Sequence, residues 1–322
     1  MKSLNQSEIL TVSVIVPVRN DSKRLETCLA SLNRLSNRPE IIVVDNGSTD
    51  DSARVAEALG ARTLVYPGLK VGSLRNRGVE QSSGIVLAFV DSDHEVTEDW
   101  LERGLEVLSE ASDVVACGSH YLAPPDGTWV QRTWAIHRLR GPSRVEAIEW
   151  LGSGNLLVKR TAFEAIGGFR EDLVAAEDVD LCHRLIQNSG RIIGDRTIRS
   201  IHHGEPKTLS DFVRKEYWRG SSGLKAWVSQ GFPLRDLPSF LWPMWHALFC
   251  LLTVLLLLVL FIRPSGIGFI AWFVCFGLWI VPSVLLAIKT CVTEKRISEV
   301  HRLATLYFVY GMTRAAALFK LQ

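Results

Sequence analysis

Six cysteines are scattered through 322 residues without a C-x-x-C pair or a regular framework, which excludes a disulfide scaffold and fits reduced, packed thiols. Charge of one sign is also missing. The chain carries 36 Lys and Arg against 34 Asp and Glu, a formal net of +2. A nucleic-acid module would show a large basic excess, so nucleic acid is not an expected partner. No G-x-x-x-x-G-K-[ST] and no G-x-G-x-x-G follows an apolar run, which argues against a P-loop NTPase and a Rossmann dehydrogenase. The opening MKSLNQSEIL has no apolar core and no cleavage pattern, so no export of the next 240 or so residues is expected. With 47% hydrophobic and 22% charged residues, the chain is not disordered.

The apolar residues are unevenly placed. Phe240 to Ile262 and Gly266 to Ile288 contain no Asp, Glu, Lys or Arg. Each is about 23 residues, enough to cross a hydrocarbon core of about 30 Å. Trp242, Trp245, Trp272 and Trp279 suit membrane interfaces or helix packing. The pattern predicts a membrane hairpin. Lys207, Arg214, Lys215, Arg219, Lys225 and Arg235 precede it, and Lys289, Lys295, Arg296 and Arg302 follow it. The connecting Arg263-Pro264-Ser265 has one base, so the positive-inside rule places both flanks in the cytoplasm and the chain in a cell (inner) membrane. The tail from Ile297 to Lys320 reads as an interfacial helix or a third span.

From Thr11 to about Gly118, short apolar runs alternate with helical stretches. Val12 to Pro17, Ile41 to Val44, Ala61 to Tyr66, Ile85 to Val90 and a segment around Val114 read as strands. Leu25, Leu29 and Leu32 mark one intervening helix, and Leu101, Leu105 and Leu108 another. This predicts βαβ units and a mostly parallel sheet covered on both faces. Ligands bind such sheets at the carboxyl ends of the strands, where Arg19-Asn20-Asp21, Asp45-Asn46 and Asp91-Ser92-Asp93 crowd.

Asp91 and Asp93 are hard oxygen ligands suited to Mg²⁺ or Mn²⁺ bridging to a substrate phosphate, although a lone D-x-D is also a turn signal. The run Asp45-Asn-Gly-Ser-Thr-Asp-Asp51 reads as a nucleotide contact or as a helix cap through Ser48 or Thr49. Glu177, Asp178 and Asp180 open a helix, either as acids complementing its dipole or with one of them as a general base. His202 and His203 are structural or offer a further metal ligand. Arg214, Lys215 and Arg219 face a leaving diphosphate or anionic lipid.

In this order the motifs resemble the family 2 glycosyltransferases, which have a GT-A fold and invert the anomeric centre. The matching pieces are Val14-Ile-Val-Pro-Val-Arg-Asn20, Val43-Val-Asp-Asn-Gly-Ser-Thr-Asp50, Arg75-Asn-Arg-Gly78, Phe89-Val-Asp-Ser-Asp93, Gly152-Ser-Gly-Asn155 and Ala176-Glu-Asp-Val-Asp-Leu-Cys182. The resemblance covers about residues 11 to 220. It implies that Pro17, Arg19 and Asp45 line the donor nucleoside and that Asp91, Asp93 and His202 hold the cation, with His203 competing for the last place. It further implies Gly154 and Asn155 near the acceptor, Asp178 as the base, and Asn76, Glu177 and Arg219 among the substrate-binding residues.

The Gln-x-x-Arg-Trp motif of processive members is absent; the corresponding region reads Arg214-Lys-Glu-Tyr-Trp-Arg-Gly220. Single-sugar transfer from a nucleotide sugar is therefore expected, onto a hydroxyl of a lipid-linked glycan or glycolipid in cell-envelope polysaccharide biosynthesis. A sugar-nucleotide nucleotidyltransferase would carry a Gly-rich loop after its first strand, but Val18-Arg-Asn-Asp-Ser22 has no Gly. A silent membrane adaptor would have lost its acids, and they are all present. The expected division is a GT-A domain over 1–236, two membrane helices over 237–290, and an amphipathic or third membrane helix over 291–322.

Overall fold

The computed structural model describes residues 11–138, 145–229 and 237–318. The expectations resting on the N-terminal decapeptide, on Arg235, on the 236/237 boundary and on the last four residues lie outside the described residues. The chain divides into two compact units, Met1–Pro124 with Gly141–Gly204, and Pro125–Arg140 with Glu205–Gln322.

The first unit is an α/β fold. Its sheet contains β1 (Val12–Val18), β2 (Glu40–Asp45), β3 (Arg62–Val65), β4 (Val86–Val90), β6 (Val114–Gly118), β7 (Glu146–Ala147), β8 (Asn155–Lys159) and β9 (Arg191–Gly194), in the order β3-β2-β1-β4-β8-β6-β9-β7. The first four strands in that order are parallel. β8 then runs antiparallel to both β4 and β6. The mostly parallel α/β architecture expected from the alternation is present, with β8 reversed near its centre and β7 reversed at its edge.

Alternation along the strands splits the core in two. Val12, Val14, Val16 and Val18 pack with Leu25, Leu29 and Leu32 of α1 (Ser22–Asn33) and with Trp100 and Leu101 of α4 (Trp100–Ser109). Ile15, Leu87 and Phe89 face the other side, toward Leu74 of α3 (Val71–Glu80), Phe163 of α6 (Arg160–Ala165), and Leu181 and Leu185 of α7 (Glu177–Gln187). Between β2 and β3 lies α2 (Ser52–Ala58). Valine and isoleucine dominate because β-branched side chains fit a pleated surface buried on both faces. A second, two-stranded sheet pairs β5 (His94–Val96) antiparallel with β10 (Ser200–His202).

The second unit is helical: α5 (Trp129–Arg138), α8 (Leu209–Ser229), α9 (Leu237–Ile262), α10 (Gly266–Thr293) and α11 (Val300–Leu318). Both α9 and α10 are long and apolar enough to cross a membrane. Phe261, Ile262 and Ile267 are 90%, 76% and 83% exposed, which an aqueous surface would not tolerate as a continuous band. Trp245 Nε1 donates to the Leu278 carbonyl at 2.9 Å, tying α9 to α10. Trp134 of α5, Phe212 of α8, Ala287 and Cys291 of α10, and Leu303, Leu306 and Tyr307 of α11 form one buried cluster. The α11 tail is thus packed against neighbouring helices. Its Arg314 pairs with the buried Glu216 of α8 at 2.9 Å, and Arg219 holds the same carboxylate at 2.7 Å. All six cysteines are free thiols.

Candidate active site

The parallel strands end together, and their ends carry the polar groups. Asp45 closes β2 and is 2% exposed. One of its oxygens accepts from the Ser48 backbone N–H and from the Ser48 hydroxyl, both at 2.7 Å. Ser48 and Thr49 do not cap α2: Asn20 N–H donates to the Ser48 hydroxyl at 2.9 Å, and Thr49 N–H donates to Asn20 Oδ1 at 2.7 Å. The turns after β1 and β2 are thereby locked side by side. Pro17 is buried on β1 opposite Val44, while Arg19 beyond it is exposed.

Asp91 follows β4 and carries the next polar group. Arg75, 2% exposed on α3, donates to Asp91 Oδ1 at 2.7 Å and to Glu177 Oε1 at 2.8 Å. Burial works against the Arg75 charge, but the two carboxylates outweigh it and hold the guanidinium more firmly protonated. One buried cation therefore joins the D-x-D turn to the start of α7. Removing Arg75 would leave two carboxylates without the cation they share.

Asp178 sits in the first turn of α7. Ala176 just before it adopts φ 63°, a left-handed conformation that costs a residue with a side chain roughly 1–2 kcal/mol. The kink starts α7 at the end of the segment that follows α6, with Glu177 and Asp178 as its first two residues. Asp178 Oδ1 accepts the Val179 N–H at 2.8 Å, and a Cβ placed on Gly152 would lie 3.7 Å from Asp178 Oδ2. Burial, reinforced by the charge of Glu177, pushes the Asp178 carboxyl up to about 6.

The remaining carboxylate meets the small sheet. Asp93 Oδ2 is 3.0 Å from His202 Nε2, while His203 Nε2 lies 3.0 Å from Glu95. The structure thus puts the His202 imidazole, rather than that of His203, on the Asp93 carboxylate, while the His203 backbone N–H donates to the Asp93 carbonyl at 2.8 Å. Burial opposes ionisation of Asp93, yet the His202 hydrogen bond and charge win and hold the carboxyl well below the usual range. Donor atoms of Asp93, His94 and His202 all lie within 4.8 Å of one another. Two glycines keep space open there. A Cβ on Gly154 would sit 2.9 Å from Asp91 Oδ2 and 2.8 Å from His94 Nε2, and one on Gly204 would collide with Asp93 Oδ2. A carboxylate and two imidazoles around a cradle that only glycine leaves open suit a divalent cation.

Other residues singled out in the sequence take scaffold positions. The Asn76 amide donates to the Phe169 carbonyl at 2.9 Å and accepts its N–H at 3.0 Å. Asn155, 2% exposed, accepts from Trp100 Nε1 at 2.6 Å and donates to the Ile198 carbonyl at 2.9 Å. Arg219 belongs to the second unit, on Glu216. Sequence reasoning passed over His94, although it directly follows the D-x-D.

A mostly parallel sheet with a D-x-D turn, a buried acidic helix start and a cation cradle fits a sugar-transferring enzyme of the GT-A class, and the comparisons with known proteins give that class. Residues 13–167 match the family model "Glycosyl transferase family 2", and this stretch is a glycosyltransferase domain of that kind. The chain is 27% identical to the glycosyltransferase AglE of Haloferax volcanii over 237 residues, 70% of this chain and 76% of that one. It is 28% identical to the pre-mycofactocin glycosyltransferase of Mycobacterium tuberculosis, over 66% of this chain and 46% of that one. Among solved structures it resembles the mannosyltransferase PcManGT of Pyrobaculum calidifontis in complex with GDP-Man and Mn²⁺, with a TM-score of 0.58 at 15% identity over 97% of this chain and 88% of that one. GalNAc-T7 with UDP, GalNAc and Mn²⁺ gives 0.51 at 17% identity, over 67% of this chain and 51% of that one. At identities this low, the structural likeness establishes the shared fold alone.

Proposed function

We propose that this glycosyltransferase transfers a single sugar, with inversion, from a nucleotide sugar to a hydroxyl of a lipid-linked glycan or glycolipid at the cytoplasmic face of the cell membrane. The observation that carries the reading is Asp178, a carboxyl pushed up to about 6 and tied through Glu177 and Arg75 to Asp91. A base with that affinity takes the acceptor proton as the hydroxyl attacks the anomeric carbon. Pro17, Arg19 and Asp45 line the nucleoside end, and Asp91, Asp93 and His202 hold Mg²⁺ or Mn²⁺. Bound there, the cation supplies Lewis acidity toward the departing diphosphate. Arg75 holds the Asp91 and Glu177 carboxylates in place.

A lipid-linked acceptor is supported by α9 and α10, which would keep the catalytic unit beside the bilayer that carries it. The lysine and arginine asymmetry about this hairpin supports a cytoplasmic catalytic unit. Membranes containing the protein, offered a panel of radiolabelled nucleotide sugars, should move one label into the lipid extract. Label found only in water-soluble product would overturn the lipid acceptor. With the six native cysteines replaced, Ser265→Cys should react with an impermeant maleimide from outside intact cells; protection there would reverse the orientation.

A further inference from the structure

We propose that His94, oriented by Ser200, is a protein ligand of the divalent cation alongside Asp93 and His202, and that this set favours Mn²⁺ over Mg²⁺. The proposal rests on the metal reading above and adds to it a ligand and a selectivity.

The small sheet creates the pair. β5 and β10 run antiparallel with His94 directly opposite His202, and residues paired in this way project to the same side of a sheet. The two imidazole centroids lie 4.6 Å apart. His94 Nδ1 is 3.1 Å from the buried Ser200 hydroxyl. A histidine metal ligand is commonly fixed through its other ring nitrogen in this way, which sets both tautomer and ring direction. The opposite nitrogen, Nε2, turns to the cradle, where Gly154 withholds the Cβ that would stand 2.8 Å from it. The neighbouring carboxylate Asp91 already shares one oxygen with the buried Arg75, so its charge is partly spent. What remains is richer in nitrogen than a D-x-D pair implies. Mg²⁺ prefers oxygen donors and sheds water reluctantly, whereas imidazole suits transition metals.

The alternative is that His94 only packs, against Tyr121 at 5.5 Å. Mn²⁺ binding to the metal-stripped full-length protein in detergent separates the two. Pulsed EPR without donor should count two coordinated ¹⁴N nuclei in the unaltered protein and one in His94→Gln. Free-Mn²⁺ titration should show weakening of at least about 10-fold in His94→Gln, a smaller loss in Ser200→Ala, and a lower Mn²⁺/Mg²⁺ preference in both. One nitrogen in the unaltered protein, or unchanged affinity and nitrogen count in His94→Gln, would overturn the role of His94 and leave sugar transfer standing. Absence of Mn²⁺ binding even with a nucleoside diphosphate present would remove the metal site, and this proposal with it. Because the nitrogen count is read on the unaltered protein, a variant that fails to fold does not blunt the test.

Discussion

Asp93 and Asp178 carry the same side chain at two ends of one site, and their surroundings drive them in opposite directions. Asp93 is held ionised by His202 against the effect of burial. Among the described residues no such cation bonds Asp178; burial and the Glu177 charge lift it to about 6. Arg75 favours ionisation of Asp178 through space, but it donates its hydrogen bonds to Asp91 and Glu177. The contrast separates a carboxylate suited to holding a cation from one suited to moving a proton, which is how one kind of residue serves both tasks.

The largest effect should come from abolishing the Asp93 end. Chelation should reduce sugar transfer to background, and added Mn²⁺ should restore it in the unaltered enzyme but not in Asp93→Ala. Full turnover in excess EDTA would erase the distinction between the two carboxylates. Next in size is the base. Asp178→Asn keeps the shape but cannot take a proton, so kcat should fall by about 10²–10⁴-fold with donor KM within a few-fold. If Glu177→Gln were inactive while Asp178→Asn turned over normally, the base would be its neighbour.

How far this contrast was legible in the sequence depends on which contacts are local. β2 and β4 are apolar runs that lead straight into an acid, and β1 one that leads into Arg19-Asn20-Asp21, so strand and site residue announce each other. β8 is equally apolar but reaches its place by pairing with β4 and β6, and no local period shows a reversed central strand. The α5 helix is similar: His137 meets Tyr307 at 3.2 Å across 170 positions. The carboxylates could be found because D-x-D and Glu-Asp are compact signals. His94 was hidden because its orienting partner, Ser200, lies 106 positions away. Nor does a motif show that the Asn155 amide is spent on Trp100 and Ile198.

A smaller effect sharpens the electrostatic cause. Asp178 acts as a base only when ionised, so kcat should rise with pH along an acid limb centred near 6. Because the Glu177 charge is one reason the carboxyl is raised, Glu177→Gln should shift that limb to lower pH while some activity remains. A limb that stays in place would leave burial as the whole cause.

The smallest effect is on stability, and its sign differs at the two ends. A carboxyl raised in the folded state binds more protons folded than unfolded between about pH 4 and 6, so its contribution to stability falls as pH rises through that window and remains unfavourable above it. For Asp93 the shift is downward; its contribution is present above the ordinary carboxylate range and lost as the solution is acidified. Asp178→Asn removes a buried charge that the fold tolerates for chemistry. The variant should therefore melt about 2–4 °C higher than the unaltered protein at pH 7.5, and the gain should vanish near pH 4. Asp93→Asn should melt lower at pH 7.5, with the loss shrinking as pH falls. Thermal scans of both variants at the two pH values, in one detergent and at one scan rate, test this. Equal shifts of the same sign would mean that the two environments are not opposed, and that Asp178 owes its role to position alone.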